Sequence, residues 1–508
     1  MSEQPKSVGM ARYEDVDSEY LQKRQLRRGA GWVLLWALGV GAVISGDFFG
    51  WNFGLAAGGF WGLTIATVLM AIMYLCLVFS MAEMSAALPH AGGSYSFTRN
   101  AFGPLGGYIN GVTDVIEYVV TTAVVVVGIG GYMQALIPGV PVWVWWLLAY
   151  VVFVTINILG VELTLKFGLV ITVMAMVVLG VFVLVTLGSG KFDPALLFTI
   201  EPDPGQSATW LPKGWGGVLA ALPFAIWFYL AIEQLPLAGE EAHDVSRDIP
   251  KAMVTGIFTL LGLSLLVLVF NSGIPAEVTV EETGEVLRGA AAIGASLSPL
   301  EAGFTAVLGS GFASVALTLI ALTGLIASFH TIIYAYGRVL FALSRAGYFP
   351  RWISLTSRFQ TPHVALILGG VVAFGCALLI SLLPGSVGAA LLNMAVFGAL
   401  ITYTLNFLSF IALRMKRPQM PRPYVSPVGI PGAVVGAILA VIALISCFAV
   451  ESYRPGVYGC VAFLLVSILY FVFYSSKRLV AQAPEEESAL VASAMHEIEH
   501  PGEMPMSK

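Results

Sequence analysis

The chain has 508 residues, 58% of them hydrophobic and 11% charged, with a formal net charge of −5. A soluble domain carries about 25% charged residues, so this composition excludes a water-soluble globular protein. The net charge says little about partners, because what matters is where the charges fall along the chain.

Residues 1–29 are polar and carry a basic cluster, Lys23, Arg24, Arg27 and Arg28. They hold no apolar core of the signal-peptide kind and read as a cytoplasmic segment. Beyond them apolar residues come in blocks of about 20, the length that crosses a hydrocarbon core as a helix. Twelve spans are expected: 30–58, 61–88, 105–137, 142–160, 165–188, 215–238, 252–271, 311–341, 363–383, 387–414, 430–449 and 454–475. Together they make an all-α integral membrane domain over 30–475. Residues 476–508 read as an acidic cytoplasmic tail, disordered or weakly helical. The 55 glycines suit close helix packing in a membrane. Cys76, Cys376, Cys447 and Cys460 lie in apolar runs without metal-ligand spacing and read as small buried residues.

With both ends cytoplasmic, the inner segments hold the N-terminal cluster, Arg99, Lys166, Arg247, Lys251, Arg338, Arg345, Arg351 and Arg358. They also hold Arg414, Lys416, Arg417, Arg422, Lys477, Arg478 and Lys508. The outer segments hold only Lys191, Lys213, Arg288 and Arg454. This asymmetry obeys the positive-inside rule. The longest outer loop, 272–302, carries Glu277, Glu281, Glu282 and Glu285.

Two spans are interrupted. The first contains Ser45-Gly46-Asp47. The sixth contains Tyr229-Leu230-Ala231-Ile232-Glu233, with Pro223 before it and Pro236 after it. Irregular backbone at membrane depth is tolerated only where it faces protein or a cavity. Spans 1 and 6 are corresponding members of two five-helix halves, the pattern of an inverted-repeat transporter with its substrate at the broken helices.

Four stretches in order carry a resemblance. They are Ala82-Glu83-Met84 with Pro89-His90-Ala91-Gly92-Gly93-Ser94-Tyr95; Gly239-Glu240-Glu241-Ala242-His243-Asp244 with Arg247-Asp248-Ile249-Pro250-Lys251-Ala252; Ser344-Arg345-Ala346-Gly347-Tyr348-Phe349-Pro350; and Arg422-Pro423-Tyr424. They resemble the amino acid–polyamine–organocation (APC) superfamily, over nearly the whole membrane region. That resemblance implies the LeuT-type 5+5 inverted repeat with broken helices 1 and 6. The run Val43 to Leu55 (VISGDFFGWNFGL), Tyr334-Ala335-Tyr336-Gly337-Arg338, and Glu19-Tyr20-Leu21 with Gln25-Leu26 are similar to ethanolamine permeases.

Amino acid carriers of this superfamily present backbone N–H groups of a Gly-x-Gly break to the substrate carboxylate. Here the triplet is Ser45-Gly46-Asp47, and Asp47 would repel a carboxylate but attract an amine cation. Asp114 and Glu117 are three apart and share a helix face. By position Glu117 resembles a cavity-lining residue of arginine and agmatine carriers, Asp114 a gate below it, and Glu233 a gating or proton-linked group. Ionisable groups inside a bilayer are costly and functional by default.

Each acid also has a plainer reading. Asp47 can cap a half-helix, Glu117 and Asp114 can be packed polar groups, and Glu233 can link across its break. Glu83 reads as structural, and His330 as a packed polar residue. Rings near the acids, Phe48, Tyr118, Trp227 and Tyr229, can hold an ammonium at about 0.5 to 2 kcal/mol each. Trp227 resembles a gating ring of related carriers.

The expected substrate site is therefore Ser45, Gly46, Asp47, Phe48, Glu117, Tyr118, Trp227 and Tyr229, with Asp114 and Glu233 as gating or proton-linked groups. No phosphate loop, zinc set or nucleophile triad appears, so neither an enzyme nor a cofactor or metal is expected. The expected partners are a small cationic amine (ethanolamine, with choline second) and the lipid bilayer, not nucleic acid. The alternative cargo is an amino acid or polyamine. A monomer or weak homo-oligomer in the cell inner membrane is expected.

Overall fold

The computed structural model describes residues 7–8, 11–14, 16, 18–24, 29–88, 92–279, 284–382, 387–484, 486–487 and 490. Expectations for Gln25-Leu26, Arg27, Arg28, Pro89-His90-Ala91, Glu281, Glu282 and 491–508 lie outside these residues.

The apolar blocks fold as helices. A short α1 (Ser18–Gln22) precedes α2 (Trp32–Val43), the single turn α3 (Ser45–Phe48), α4 (Phe53–Ala87), α5 (Ser94–Leu136), α6 (Val142–Leu159) and α7 (Val161–Ser189). Next come α8 (Gly214–Ile226), α9 (Val245–Ser272), α10 (Gly289–Ala295), α11 (Pro299–Leu308) and α12 (Phe312–Arg345). The chain then forms α13 (His363–Ile380), α14 (Val387–Lys416), α15 (Gly429–Ser446) and α16 (Arg454–Phe473).

Ten helices among the described residues are long and apolar enough to cross a membrane: α4, α5, α6, α7, α9 and α12 to α16. The expected first and sixth spans are not among the ten, because each is broken into shorter pieces. The first is split into α2 and α3 ahead of α4. The sixth is split into α8 and a 3-10 segment, Ile232–Ala238.

Local chemistry sets the joints. Gly59, at φ 71°, separates the outer end of the first block from the second block inside α4. A side chain there would be strained in backbone and would press on Pro212. Gly103 and Pro104 bend α5, setting residues 94–102 off from the rest of the helix. Asp244 starts α9 by accepting from the Ser246 N–H at 3.1 Å.

The most hydrophobic stretch of α5 is 94% buried, and that of α16 only 28%, so α5 runs through the centre and α16 lies at the rim. Around the centre, α5 packs on α14 and α12, α4 on α8 and α9, and α2 on α9 and α7. Side chains such as Leu184, Val371 and Val466 are exposed, as apolar residues facing lipid would be.

One end of the bundle carries an antiparallel hairpin, β3 (Glu277–Thr279) with β4 (Val286–Arg288), in which Arg288 and Glu277 pair at 3.0 Å. The other end, the terminal face, carries both described chain ends. There β1 (Ser7–Val8) pairs antiparallel with β2 (Ala11–Glu14), and β2 runs parallel to β5 (Leu479–Val480). The reading of 476–508 as disordered therefore fails for its first part. Leu479, Val480 and Ala483 are buried, and Glu486 is fully buried against partners described below.

Candidate functional site

The two breaks meet. After α3, Phe49 is extended (φ −162°, ψ 147°). Gly46 allows the approach, because a Cβ there would lie 2.3 Å from the Trp227 carbonyl oxygen. In the sixth span Ala231 adopts φ 86°, a conformation that costs a non-glycine residue about 1–3 kcal/mol. Glu233 holds it by accepting from the Ala231 N–H at 2.9 Å. Trp227 Nε1 donates to the Phe49 carbonyl at 2.9 Å and ties one break to the other.

Asp47, Asp114, Glu117 and Glu233 are all buried, at 0–1% exposure. Glu117 and Glu233 converge on one hydroxyl. Tyr403 Oη of α14 lies 2.8 Å from Glu233 Oε1 and 3.4 Å from Glu117 Oε1. It also lies 2.9 Å from Tyr74 Oη of α4. The Tyr74 ring stands 5.4 Å from that of Tyr403 and 5.5 Å from that of Tyr229, whose hydroxyl pairs with Ser264 at 3.0 Å. The sequence reading did not single out Tyr74 or Tyr403.

Asp47 Oδ1, Glu117 Oε2, Glu233 Oε2 and both Asp114 oxygens are buried without a hydrogen-bond partner among the described residues. The buried Arg99, Arg338 and Arg345 pair with Glu486, Glu241 and Glu240 instead, and the buried Arg24 donates to Ser354 Oγ and to carbonyl groups. Buried carboxylates are tolerated when paired, so this set suits a cation or protons.

The other expected site residues divide. Ser45 does not offer its amide, because its N–H donates to Ser328 Oγ at 3.2 Å, and the Ser328 hydroxyl donates to the Ala42 carbonyl. The amides of Asp47, Phe49 and Gly50 are likewise taken, by Ile44 O at 3.0 Å, Ser45 O at 2.9 Å and Asn52 Oδ1 at 3.0 Å. The Phe48 ring packs against Gly324 of α12, and its carbonyl accepts from Tyr132 Oη at 2.8 Å. Tyr118 is buried beside Glu117 on α5. His330 packs between Asn157 and the Thr164 carbonyl, each at 3.1 Å. Glu83 pairs with Arg414 at 2.6 Å and Arg422 at 3.1 Å, joining the end of α4 to the Arg-Pro-Tyr motif.

Both ends are closed over the breaks. On the hairpin side Asn52 Nδ2 donates to the carbonyls of Ile293 at 2.8 Å and Ser296 at 2.9 Å. On the terminal face Glu241 pairs with Arg338 at 2.7 Å and accepts from Tyr334 Oη, and its carbonyl accepts from the N–H groups of Gly29 and Ala30. Two clefts, of about 500 Å³ near Glu277 and Glu301 and about 490 Å³ near Lys166 and Arg358, are lined by no residue of either break.

A multi-pass helical bundle in which two broken helices touch and several acids are buried fits a membrane permease. The chain belongs to the amino acid permease family, whose sequence profile matches residues 31–471. It is 28% identical over 458 residues to an uncharacterised transporter of Rhizobium meliloti, covering 88% of this chain and 92% of that one. It is 26% identical to the branched-chain amino acid permease BcaP of Bacillus subtilis, covering 91% and 96%. It is 25% identical to the aromatic amino acid transport protein AroP of Escherichia coli, covering 78% and 84%. These relatives are named as transporters, and the chain is a transporter rather than an enzyme.

Proposed function

We propose that the chain is a secondary transporter of a small amine cation, ethanolamine first and choline second, working by alternating access in the inner membrane. The observation that carries this reading is at the first break. Asp47 keeps a buried oxygen without a partner, while the amides of Ser45, Asp47, Phe49 and Gly50 are already bonded. Such a break has an anion to offer a cation and few N–H groups to offer a carboxylate. Asp47 and Glu117 form the ammonium subsite, with Tyr118, Trp227 and Tyr229 as ring walls. Asp114 and Glu233 serve as gates or proton carriers.

The ten long helices and two broken ones make twelve crossings, α2 to α7 forming one five-span half and α8 to α14 the other. The terminal face is cytoplasmic, and the bundle, closed at both ends, is an occluded intermediate of the transport cycle.

Two unit charges 4 Å apart interact at roughly 4 kcal/mol at an effective dielectric of about 20. The net gain is smaller, because the cation and acid lose water. The term changes sign for a carboxylate, so serine, which shares ethanolamine's amine and hydroxyl, is rejected. The names of the relatives favour a second reading, transport of a neutral amino acid.

Uptake into proteoliposomes separates the two. Labelled ethanolamine should accumulate and be displaced by excess ethanolamine or choline, but not by serine, leucine or phenylalanine. Accumulation of leucine or phenylalanine without ethanolamine would overturn the amine reading in favour of the amino acid one.

A further inference from the structure

The terminal face is fastened by a carboxylate that the transport site does not use. Glu486 follows β5 and is fully buried. Its Oε2 accepts from Arg99 Nε at 2.7 Å and from Tyr13 Oη at 2.8 Å. Its Oε1 accepts from Tyr348 Oη at 2.8 Å and from Tyr95 Oη at 3.0 Å. Arg99 Nη2 also donates to Tyr13 Oη at 2.6 Å. A carboxylate has about four acceptor positions, and four donors from three parts of the chain fill them. Those parts are β2, the start of α5 and the segment after α12. Tyr95 and Tyr348 are the tyrosines of the Gly-Gly-Ser-Tyr and Ser-Arg-Ala-Gly-Tyr stretches, so these stretches form a receptor for the tail. Burial, with Glu486 beside it, pushes the Tyr13 hydroxyl up, which keeps it a neutral donor.

We propose that Glu486 is a latch: docked between Arg99, Tyr13, Tyr95 and Tyr348, it holds the terminal face closed, and its release accompanies opening of that face. The C-terminal segment is then an intramolecular regulator of transport.

The N-terminal segment leads into α2, the inner half of the first broken helix, and it is strapped across the end of α12. Tyr20 Oη donates to the Arg345 carbonyl at 2.9 Å, and Arg24 Nε to Ser354 Oγ at 2.8 Å. Arg351 and Glu14 pair at 2.6 Å but are 36% and 46% exposed, and such a pair contributes little. Arg99 and Glu486 are 4% and 0% exposed. Removing one member of a buried pair leaves a stranded charge and is strongly destabilising. With Glu486 neutral, Arg99 is stranded only while the face is closed, and opening lets water reach it. The loss of this one carboxylate therefore favours the open form.

The test uses the full chain with a reporter, Leu237→Cys. Leu237 is 2% exposed and lies against Gly93 on the terminal side of the sixth span. Its modification by a membrane-impermeant maleimide is timed against the same proteins without the reporter, because the four native cysteines remain. Glu486→Gln should speed labelling by about fivefold or more, the shift in the open-to-closed ratio. Tyr13→Phe should act in the same direction by a smaller factor. A parental labelling rate in folded Glu486→Gln overturns the latch. If Glu486→Gln does not fold, Tyr13→Phe decides by the same criterion. The latch rests on the transport reading only for what opening means. The labelling needs no substrate, so a failure of ethanolamine uptake and a failure of the latch are separate results.

Discussion

At Asp47 the plainer alternative was a helix cap, and its Oδ1 is buried without a hydrogen-bond partner among the described residues. Its neutral amide variant should therefore cost little stability. Asp47→Asn and Glu117→Gln should each weaken ethanolamine binding about tenfold or more, which is about 1.4 kcal/mol, while thermal unfolding in detergent stays near the parent. Binding as tight as the parent's in either variant would make that residue a packing group. Glu233 needs a different argument, because it bonds both the Ala231 N–H and Tyr403 Oη. An amide oxygen can keep both bonds, so Glu233→Gln removes the ionisable group while leaving the support of the break in place. Uptake should continue and lose its dependence on an imposed pH gradient; a parental pH profile would leave Glu233 as a support for the break alone. These acids were legible in the sequence because a carboxylate in an apolar run stands out. Tyr74 and Tyr403 were not, since tyrosine is ordinary in membrane helices, where it often marks the interface. Glu486 was invisible for a related reason. It lies in a polar tail, and only the fold brings Arg99 and three tyrosines around it.

The spans were the most legible elements, since a block of about 20 apolar residues has few other ways to fold. Their joints were less so. Gly59, at φ 71° and ψ 177°, is non-helical and kinks α4, so the end of the first block and the second block run on from each other as two helical pieces with no loop between them. The loop 272–302 held more structure than its acids suggested: it forms β3, β4, α10 and the start of α11, and Ile293 and Ser296 take the bonds of Asn52 beside the first break. The contact between the two breaks depends on Gly46. A methyl group there meets the Trp227 carbonyl oxygen at 2.3 Å and its carbon at 3.0 Å. Backbone cannot rotate away as a side chain can, so relief requires the broken helices to separate. Overpacking of this kind typically costs about 1–3 kcal/mol. Gly46→Ala should lower the thermal midpoint and abolish uptake together. Parental stability and uptake would show that the breaks are not held at this distance in the working protein.

For the molecule as a whole, the remaining question is which way it sits in the membrane. The arginines assigned to the inside gather on one face in the folded chain. Arg351 reaches Glu14 and the Arg478 carbonyl, Arg345 reaches Glu240, Arg414 reaches Glu83, and Arg417 reaches Asn100, next to Arg99. Arg288 stands at the other end, in the hairpin with Glu277, and Lys191 reaches the Ala306 carbonyl near that end. The basic residues that the sequence pattern groups together thus also lie together in the fold. Basic residues in short loops are retained on the cytoplasmic side during insertion, which is the basis for proposing that the terminal face is cytoplasmic. Single cysteines placed at Glu285, His243 and Gln419, all exposed positions, test this in intact cells. Glu285→Cys should react with an impermeant maleimide added outside, whereas His243→Cys and Gln419→Cys should react only after the membrane is permeabilised. Labelling of Glu285→Cys and Gln419→Cys from the same side would require an even number of crossings between them, in place of the three expected from α12, α13 and α14. Reaction of only His243→Cys and Gln419→Cys from outside would keep the twelve-span fold and invert it in the membrane.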